Sequence, residues 1–290
     1  MIERDLRIQI AADAKRVADA ALQEDGDRDV TTDVCVAANQ IATGVIECRR
    51  GGVVAGLTYA DAVGMACGLQ LVNWYHAPGT TLPAGATMGL LQGDLARILR
   101  AERPLLNLLQ RAVGIATATK AFVDRVSGTA ARILHTRKTA PGLRLLDVTA
   151  VLAGGGQVHR LDLSTTLMVK DNHWRALAKT GRRLAAALEQ ARGLGISDCY
   201  VEVESPDQVT EACAAGASRL LIDNQTPETV RAWAAAARSR RPEISIEATG
   251  GITLANVREY ANAGADYISI GAITHSVQAG DVALELSAES

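Results

Sequence analysis

Six short apolar runs in the second half of the chain each stop at residues able to do acid–base or anion-binding chemistry. ARILHTRKT ends in His135, Arg137 and Lys138, TTLMVKDNH in Lys170, Asn172 and His173, and CYVEVES in Glu202 and Glu204. SRLLIDNQ ends in Asp223 and Asn224, ISIEATGG in Glu247, Thr249, Gly250 and Gly251, and DYISIGAITH in Gly271, Thr274 and His275. AGGGQVHRLDL adds His159 and Arg160, so four of the five histidines lie in these segments.

Arg103, Arg137, Lys138, His159, Arg160 and Lys170 form a cationic set suited to a small polyanion, because the arginine fork grips carboxylate or phosphate bidentately and lysine supplies a compact charge. The competing reading is that these side chains serve only to neutralise Glu202, Glu204, Asp223 and Glu247. Thr249-Gly250-Gly251 and Gly271-Ala272 close the last two runs, where the final loops of a barrel and a helix N-terminus commonly hold phosphate. A tight turn would use the same glycines. Glu202 and Asp223 come from adjacent runs and suit Mg²⁺ or sugar hydroxyls, or structural pairing with lysine. Lys170 also has the position of a Schiff-base nucleophile. Gly154-Gly155-Gly156 is not a dinucleotide fingerprint; it reads as a turn that delivers His159 and Arg160.

The elements that would place these residues follow from the spacing. Ala-rich, helix-like stretches such as RALAKTGRRLAAALEQARG and PETVRAWAAAARSR separate the apolar runs. Strand, turn and helix in that rhythm predict parallel βα units wound as a closed or nearly closed barrel, with the active site at the C-terminal strand ends. Upstream the texture differs. Apolar positions at Ile10, Ala14, Val17, Ala18, Ala21 and Leu22 predict a helix closed by Gly26. The β-rich runs GVIECR, GGVVAG, LQLVNWY and TMGLLQG then predict a small, largely antiparallel α+β domain, with a helix near TYADAVGMA. A further helix is expected from about Glu102, with Pro104 in its first turn.

Composition narrows the partners. The 290 residues hold 30 Lys+Arg against 32 Asp+Glu, a formal net charge of −2, which provides no bulk attraction to nucleic acid or an anionic membrane. Three Trp, five Tyr and one Phe are too few to stack successive bases. The stretch MIERDLRIQIAADAKR carries charges where a secretory signal would need an apolar run, and no segment offers about 18 uninterrupted apolar residues. The five cysteines (Cys35, Cys48, Cys67, Cys199 and Cys213) are scattered, which fits a reducing, cytoplasmic compartment better than a disulfide framework.

EDGDRDVTTD, AERPLLNLLQRAVGIAT, TRKTAPGLRLL, GGGQVHRLDL, LMVKDNH, VEVES, LLIDN, EATGGI and YISIGAITHSV resemble, in order and spacing, the motifs of the quinolinate phosphoribosyltransferase family. The resemblance runs over nearly the whole chain. It implies an N-terminal α/β sandwich domain at 1–112, an incomplete α/β barrel of the type II phosphoribosyltransferases at 113–275, and a segment at 276–290 that returns to the first domain. It also implies a pentosyltransferase that joins quinolinate to 5-phosphoribosyl 1-diphosphate with Mg²⁺, releasing CO₂ and diphosphate and forming nicotinate mononucleotide for NAD biosynthesis.

Residue by residue, the resemblance implies that Arg103, Arg137, His159, Arg160 and Lys170 surround the quinolinate carboxylates. Lys138 would hold diphosphate, Glu202 and Asp223 the metal and ribose hydroxyls, and Thr249, Gly250, Gly251, Gly271, Ala272 and His275 the 5-phosphate. The implied catalytic set is Lys138, Lys170, Glu202 and Asp223, and the implied assembly is a homodimer or larger even oligomer in which Arg103 enters the partner's pocket. The chain departs from the family pattern at His135 (usually acidic), Val158 (usually Asn), Asp162 (usually Gly), Val148-Thr149-Ala150 (usually Lys-Tyr-Ala) and, mildly, Thr249 (usually Ser). These departures keep open a sibling enzyme that ribosylates another aromatic carboxylate. A Schiff-base aldolase built on Lys170 and a non-catalytic nucleotide-binding relative are the remaining alternatives.

Overall fold

The structure is a computed structural model that describes residues 2–70 and 72–287, with side chains described from residue 6 onward. In chain order, the first elements are α1 (Ile2–Glu24), α2 (Val30–Cys35), β1 (Ile41–Cys48), β2 (Gly52–Val53), α3 (Leu57–Ala66), β3 (Asn73–Trp74), β4 (Thr81–Leu82), β5 (Ala86–Asp94) and α4 (Leu95–Arg125). They are followed by β6 (Arg132–Leu134), α5 (Arg144–Ala153), β7 (Leu167–Val169), α6 (Asp171–Thr180), α7 (Leu184–Gly193), β8 (Cys199–Val203), α8 (Pro206–Ala215) and β9 (Arg219–Asp223). The last are α9 (Pro227–Arg240), β10 (Ser245–Thr249), α10 (Val257–Asn262), β11 (Tyr267–Ser269), α11 (Ala272–His275) and β12 (Val282–Leu286).

Two compact units emerge. One comprises the described residues of Met1–Lys120, Lys138–Gly155 and Ala272–Ser290, the other Ala121–Arg137 and Gly156–Gly271. The first is built on an antiparallel sheet in the order β12-β1-β5-β3. Strand β1 alternates buried and part-exposed positions, as a strand with one face on a core must. Its Ile46 is fully buried, as are Leu91 of β5 and Tyr59 of α3. Tyr59 donates its hydroxyl to Asp13 of α1 at 2.8 Å, and burial pushes that phenol well above its ordinary pKa. Gly56 precedes α3 with φ 85°; a Cβ there would stand 2.7 Å from Ala112 of α4, so the close approach requires glycine.

Helix α4 begins at Leu95, earlier than the sequence suggests, and Pro104 lies inside it rather than in its first turn. Asp94 opens the helix by accepting the Arg97 backbone N–H at 3.1 Å. Pro104 forfeits one backbone hydrogen bond, which burial of Leu105, Leu106 and Leu109 offsets.

The second unit is a parallel sheet in the order β6-β11-β10-β9-β8-β7. Six strands fall short of the eight that close a barrel, so the βα rhythm gives a parallel sheet that stays open, the incomplete α/β barrel that the family resemblance implies. The helices begin where the sequence caps them: Ser205 accepts from Gln208 N at 3.3 Å, Thr226 accepts from Thr229 N at 3.3 Å, and proline follows each cap. The long helix-like stretch after β7 is two helices, because Gly181 adopts φ 67° and closes α6 before α7 begins.

Candidate active site

The C-terminal ends of β7, β8 and β9 bring three of the candidate residues together. Val169 pairs with Val201, which sets Lys170 beside Glu202, and Glu202 pairs with Leu221, two positions before Asp223 on the same face. Lys170 Nζ is ion-paired with Glu202, and Glu202 is 8% exposed at its side chain against 41% for the lysine. Trp174 of α6 donates its indole N–H to the Glu202 carbonyl at 2.8 Å, tying that helix to the strand end. Burial and then the neighbouring Glu202 charge raise the Asp223 carboxyl above its ordinary value, and Asn224 and Lys170 counter only part of this. Among the described residues no three His, Cys, Asp or Glu side chains cluster as a closed metal cage. A half-buried carboxylate pressed by a second one suits a cation bound through one or two carboxylates and otherwise by substrate oxygens.

Arg137 and Arg160 behave differently. Arg137 Nε is buried and has no hydrogen-bond partner. Burial and then the charge of Arg137 pull the Arg160 guanidinium below the usual arginine range, with Asp162 opposing. Among the described residues neither guanidinium makes a salt bridge, so the alternative in which every cation serves a neighbouring carboxylate holds for Lys170 and fails for these two. Two close, partly desolvated cations that make no salt bridge, with only the weaker opposing charge of Asp162, are an arrangement that a bound anion would stabilise.

His159 is turned inward. Its Nδ1 accepts the Arg160 backbone N–H at 2.7 Å, so the ring proton sits on Nε2, which donates to Glu247 at 3.1 and 3.2 Å. Glu247 also accepts from Ser269 and, at 3.0 Å, from Arg219 Nη1. Burial alone would raise the Glu247 carboxyl, but the His159 hydrogen bond, the Arg219 charge and the Ser269 hydrogen bond together hold it below the ordinary value. The Arg219 guanidinium lies between the rings of Tyr200 and Tyr267, 4.4 and 3.9 Å from their centroids.

At the ends of β9 and β10, Asn224 takes φ 51° and donates its backbone N–H to the Thr249 carbonyl at 2.9 Å. Gly250, at φ 84°, lies so close that a Cβ would stand 2.2 Å from Asn224 Oδ1, whereas Gly251, at φ 61°, has open space where its Cβ would be. The backbone therefore comes to an open edge at Gly251 because Gly250 and Asn224 are packed. Gly271 follows β11 by two residues.

Lys138, Ala272, His275 and Arg103 belong to the antiparallel-sheet unit. There Thr274 donates its hydroxyl to the Lys138 carbonyl at 2.9 Å, and Arg111 holds Asp147 through two bonds of 2.7 Å while also donating to the Thr274 carbonyl at 3.1 Å. Asp147, fully buried, accepts the Ala140 N–H at 3.2 Å. His275 Nδ1 lies 2.6 Å from Ser276 Oγ, and Arg103 is exposed beside Glu102 at 3.7 Å.

Residues 29–113 match the family model "Quinolinate phosphoribosyl transferase, N-terminal domain", and residues 115–285 match "Quinolinate phosphoribosyl transferase, C-terminal domain". The chain belongs to the quinolinate phosphoribosyltransferase family. It is 38% identical to the nicotinate-nucleotide pyrophosphorylase [carboxylating] of Mycobacterium leprae, over 89% of this chain and 91% of that protein. It is 35% identical to the rat protein of the same name, over 86% and 83%. The solved nicotinate-nucleotide pyrophosphorylase of Francisella tularensis superposes with a TM-score of 0.88 at 31% identity, covering 96% of this chain and 97% of that one.

Within this quinolinate phosphoribosyltransferase chain, sequence reasoning missed Arg219, Tyr200, Tyr267 and Ser269, and treated Glu247 only as a counter-charge. A signal for them was present. Counting back by twos from Asp223 puts Arg219 on the same strand face, and a charged residue beginning an apolar run on that face needs a buried partner. Arg111 and Asp147, 36 residues apart, left no comparable local pattern.

Proposed function

We propose that the chain transfers the phosphoribosyl group of 5-phosphoribosyl 1-diphosphate to quinolinate with decarboxylation, giving nicotinate mononucleotide, CO₂ and diphosphate. The single observation that carries this reading is the Arg137–Arg160 pair, two adjacent cations without an ion-pair partner among the described residues, one with an orphaned buried Nε. A planar dicarboxylate fills that deficit with bidentate hydrogen bonds. The family to which the chain belongs, and the names its relatives carry, agree with it.

The pyridine nitrogen attacks the anomeric carbon as the bond to diphosphate breaks, and Glu202 and Asp223 face the positive charge that develops on the ribose. The new pyridinium draws the electron pair of the C2–carboxylate bond as CO₂ leaves, and the resulting carbanion takes a proton. Arg137 and Arg160 hold the carboxylates so that the ring nitrogen is presented in line. In this reading Lys170 serves the acid and Lys138 the diphosphate, while Thr249, Gly250, Gly251, Gly271, Ala272 and His275 serve the 5-phosphate. Glu202 and Asp223 are the residues that would hold Mg²⁺, which would supply neutralisation of the charge on the departing diphosphate. A homodimer or larger even oligomer in which Arg103 serves the partner's site, located in the cytoplasm where the five free cysteines stay reduced, completes the proposal.

A diphosphate-release assay with Mg²⁺, the ribosyl donor and a panel of aromatic acids tests this reading. Quinolinate as the preferred acid supports it. Preference for a different acid would make the chain the divergent sibling that His135, Val158 and Asp162 suggest.

A further inference from the structure

We infer that Arg219 and Glu247 are positioning residues for acid binding, acting through His159 on the backbone of Arg160. This rests on the proposed function and adds to it two residues that touch no substrate. Its starting point is an electrostatic problem: Arg137 and Arg160 repel each other, and Arg137 Nε has no hydrogen-bond partner to restrain it. The backbone that carries Arg160 must therefore be held mechanically.

His159 provides the restraint. Its Nδ1 fixes the Arg160 N–H at 2.7 Å only while the ring proton resides on Nε2. Glu247, 1% exposed, enforces that tautomer by accepting from Nε2 with both carboxylate oxygens. The hydrogen bond from His159 and then Arg219, 3.0 Å away, keep Glu247 ionised in an interior that would otherwise favour its neutral form, and the rings of Tyr200 and Tyr267 lock the guanidinium in place. The His159 ring meets Tyr200 edge-on with centroids 5.8 Å apart, so ring rotation is opposed from that side as well. With a neutral amide at 247 the tautomer is no longer enforced, and a proton on Nδ1 would face the Arg160 N–H donor to donor.

The test compares Glu247→Gln with the Arg219→Met/Glu247→Gln double variant, which removes both buried charges and so avoids leaving one unpaired. In each, steady-state KM is measured separately for quinolinate and for the ribosyl donor, and the His159 ring nitrogens are followed by long-range ¹H–¹⁵N NMR. The quinolinate KM is expected to rise about tenfold or more with the donor KM changed less than about twofold, while the His159 signals move from the Nε2–H tautomer toward a mixture. Equal changes in both KM values, an unchanged quinolinate KM, or a His159 tautomer identical to the unsubstituted protein's would overturn the inference. Failure of the unsubstituted protein to use quinolinate at all would instead contradict the proposed function, and the NMR readout would still decide whether Glu247 sets the tautomer.

Discussion

Lys170, at the end of β7, is ion-paired with Glu202 on the adjacent strand β8, and the carboxylate is by far the more deeply buried partner. Lys170→Ala strands that carboxylate. Because the lysine is 41% exposed, solvent screens the pair, and the stability loss is expected at about 1–2 kcal/mol rather than the larger cost of a fully buried pair. Turnover of quinolinate should fall by orders of magnitude while the fold persists. Denaturant melts beside single-turnover rates check both parts.

Arg137→Met is expected to show the opposite balance. Removing one of two mutually repelling cations should leave apo stability unchanged or raise it by about 0.5 kcal/mol, while lowering kcat/KM for quinolinate at least about a hundredfold. The same substitution should abolish any thermal stabilisation by quinolinate. A variant that is destabilised yet fully active would be inconsistent with an anion-binding role.

Asp223 makes acid-side stability informative. Its folded carboxyl is raised above the ordinary value of 3.8, so the folded state disfavours ionisation and binds the proton more tightly than the unfolded chain. The resulting stability is present in full below 3.8 and is lost as pH rises through the raised folded value. Asp223→Asn should therefore be more stable than the parent at neutral pH, and the two should converge as pH falls toward 3.8. Urea midpoints across that range test the sign; a neutral-pH loss of stability in Asp223→Asn would refute it.

Gly250 and Gly251 separate packing from conformational strain. Gly250→Ala must push Asn224 away in addition to holding φ 84°, and is expected to cost more than about 2 kcal/mol and to raise the ribosyl-donor KM sharply. Gly251→Ala meets no atom within 4 Å, so its cost should be limited to about 1 kcal/mol of left-handed backbone strain. Melting temperatures and donor KM values of the two variants compare the effects directly.

The fold class was legible because strand–helix alternation is written locally: each apolar run ends at polar residues, and Ser205 and Thr226 mark where the next helix starts. The start of α4 was not, because Pro104 looks like an N-terminal signal, whereas burial of the leucines beyond it sustains a helix through the proline. In the candidate site the residue types at the strand ends could be read from spacing alone. Their hydrogen bonds could not: His159 and Glu247 stand 88 positions apart, and only strand pairing shows that Glu247 shares an interior with Arg219 and Tyr267. The same distance hides which cations are already neutralised, and so which remain for a ligand.

The most direct test of the account is the fate of the C2 carboxylate. Purified protein is incubated with Mg²⁺, 5-phosphoribosyl 1-diphosphate and quinolinate carrying ¹³C in that group. The expected products are ¹³CO₂, diphosphate and unlabelled nicotinate mononucleotide in equal amounts, with no ¹³CO₂ when the ribosyl donor is omitted. Retention of the label in the nucleotide, or no release of diphosphate with quinolinate when another aromatic acid supports it, would contradict the account.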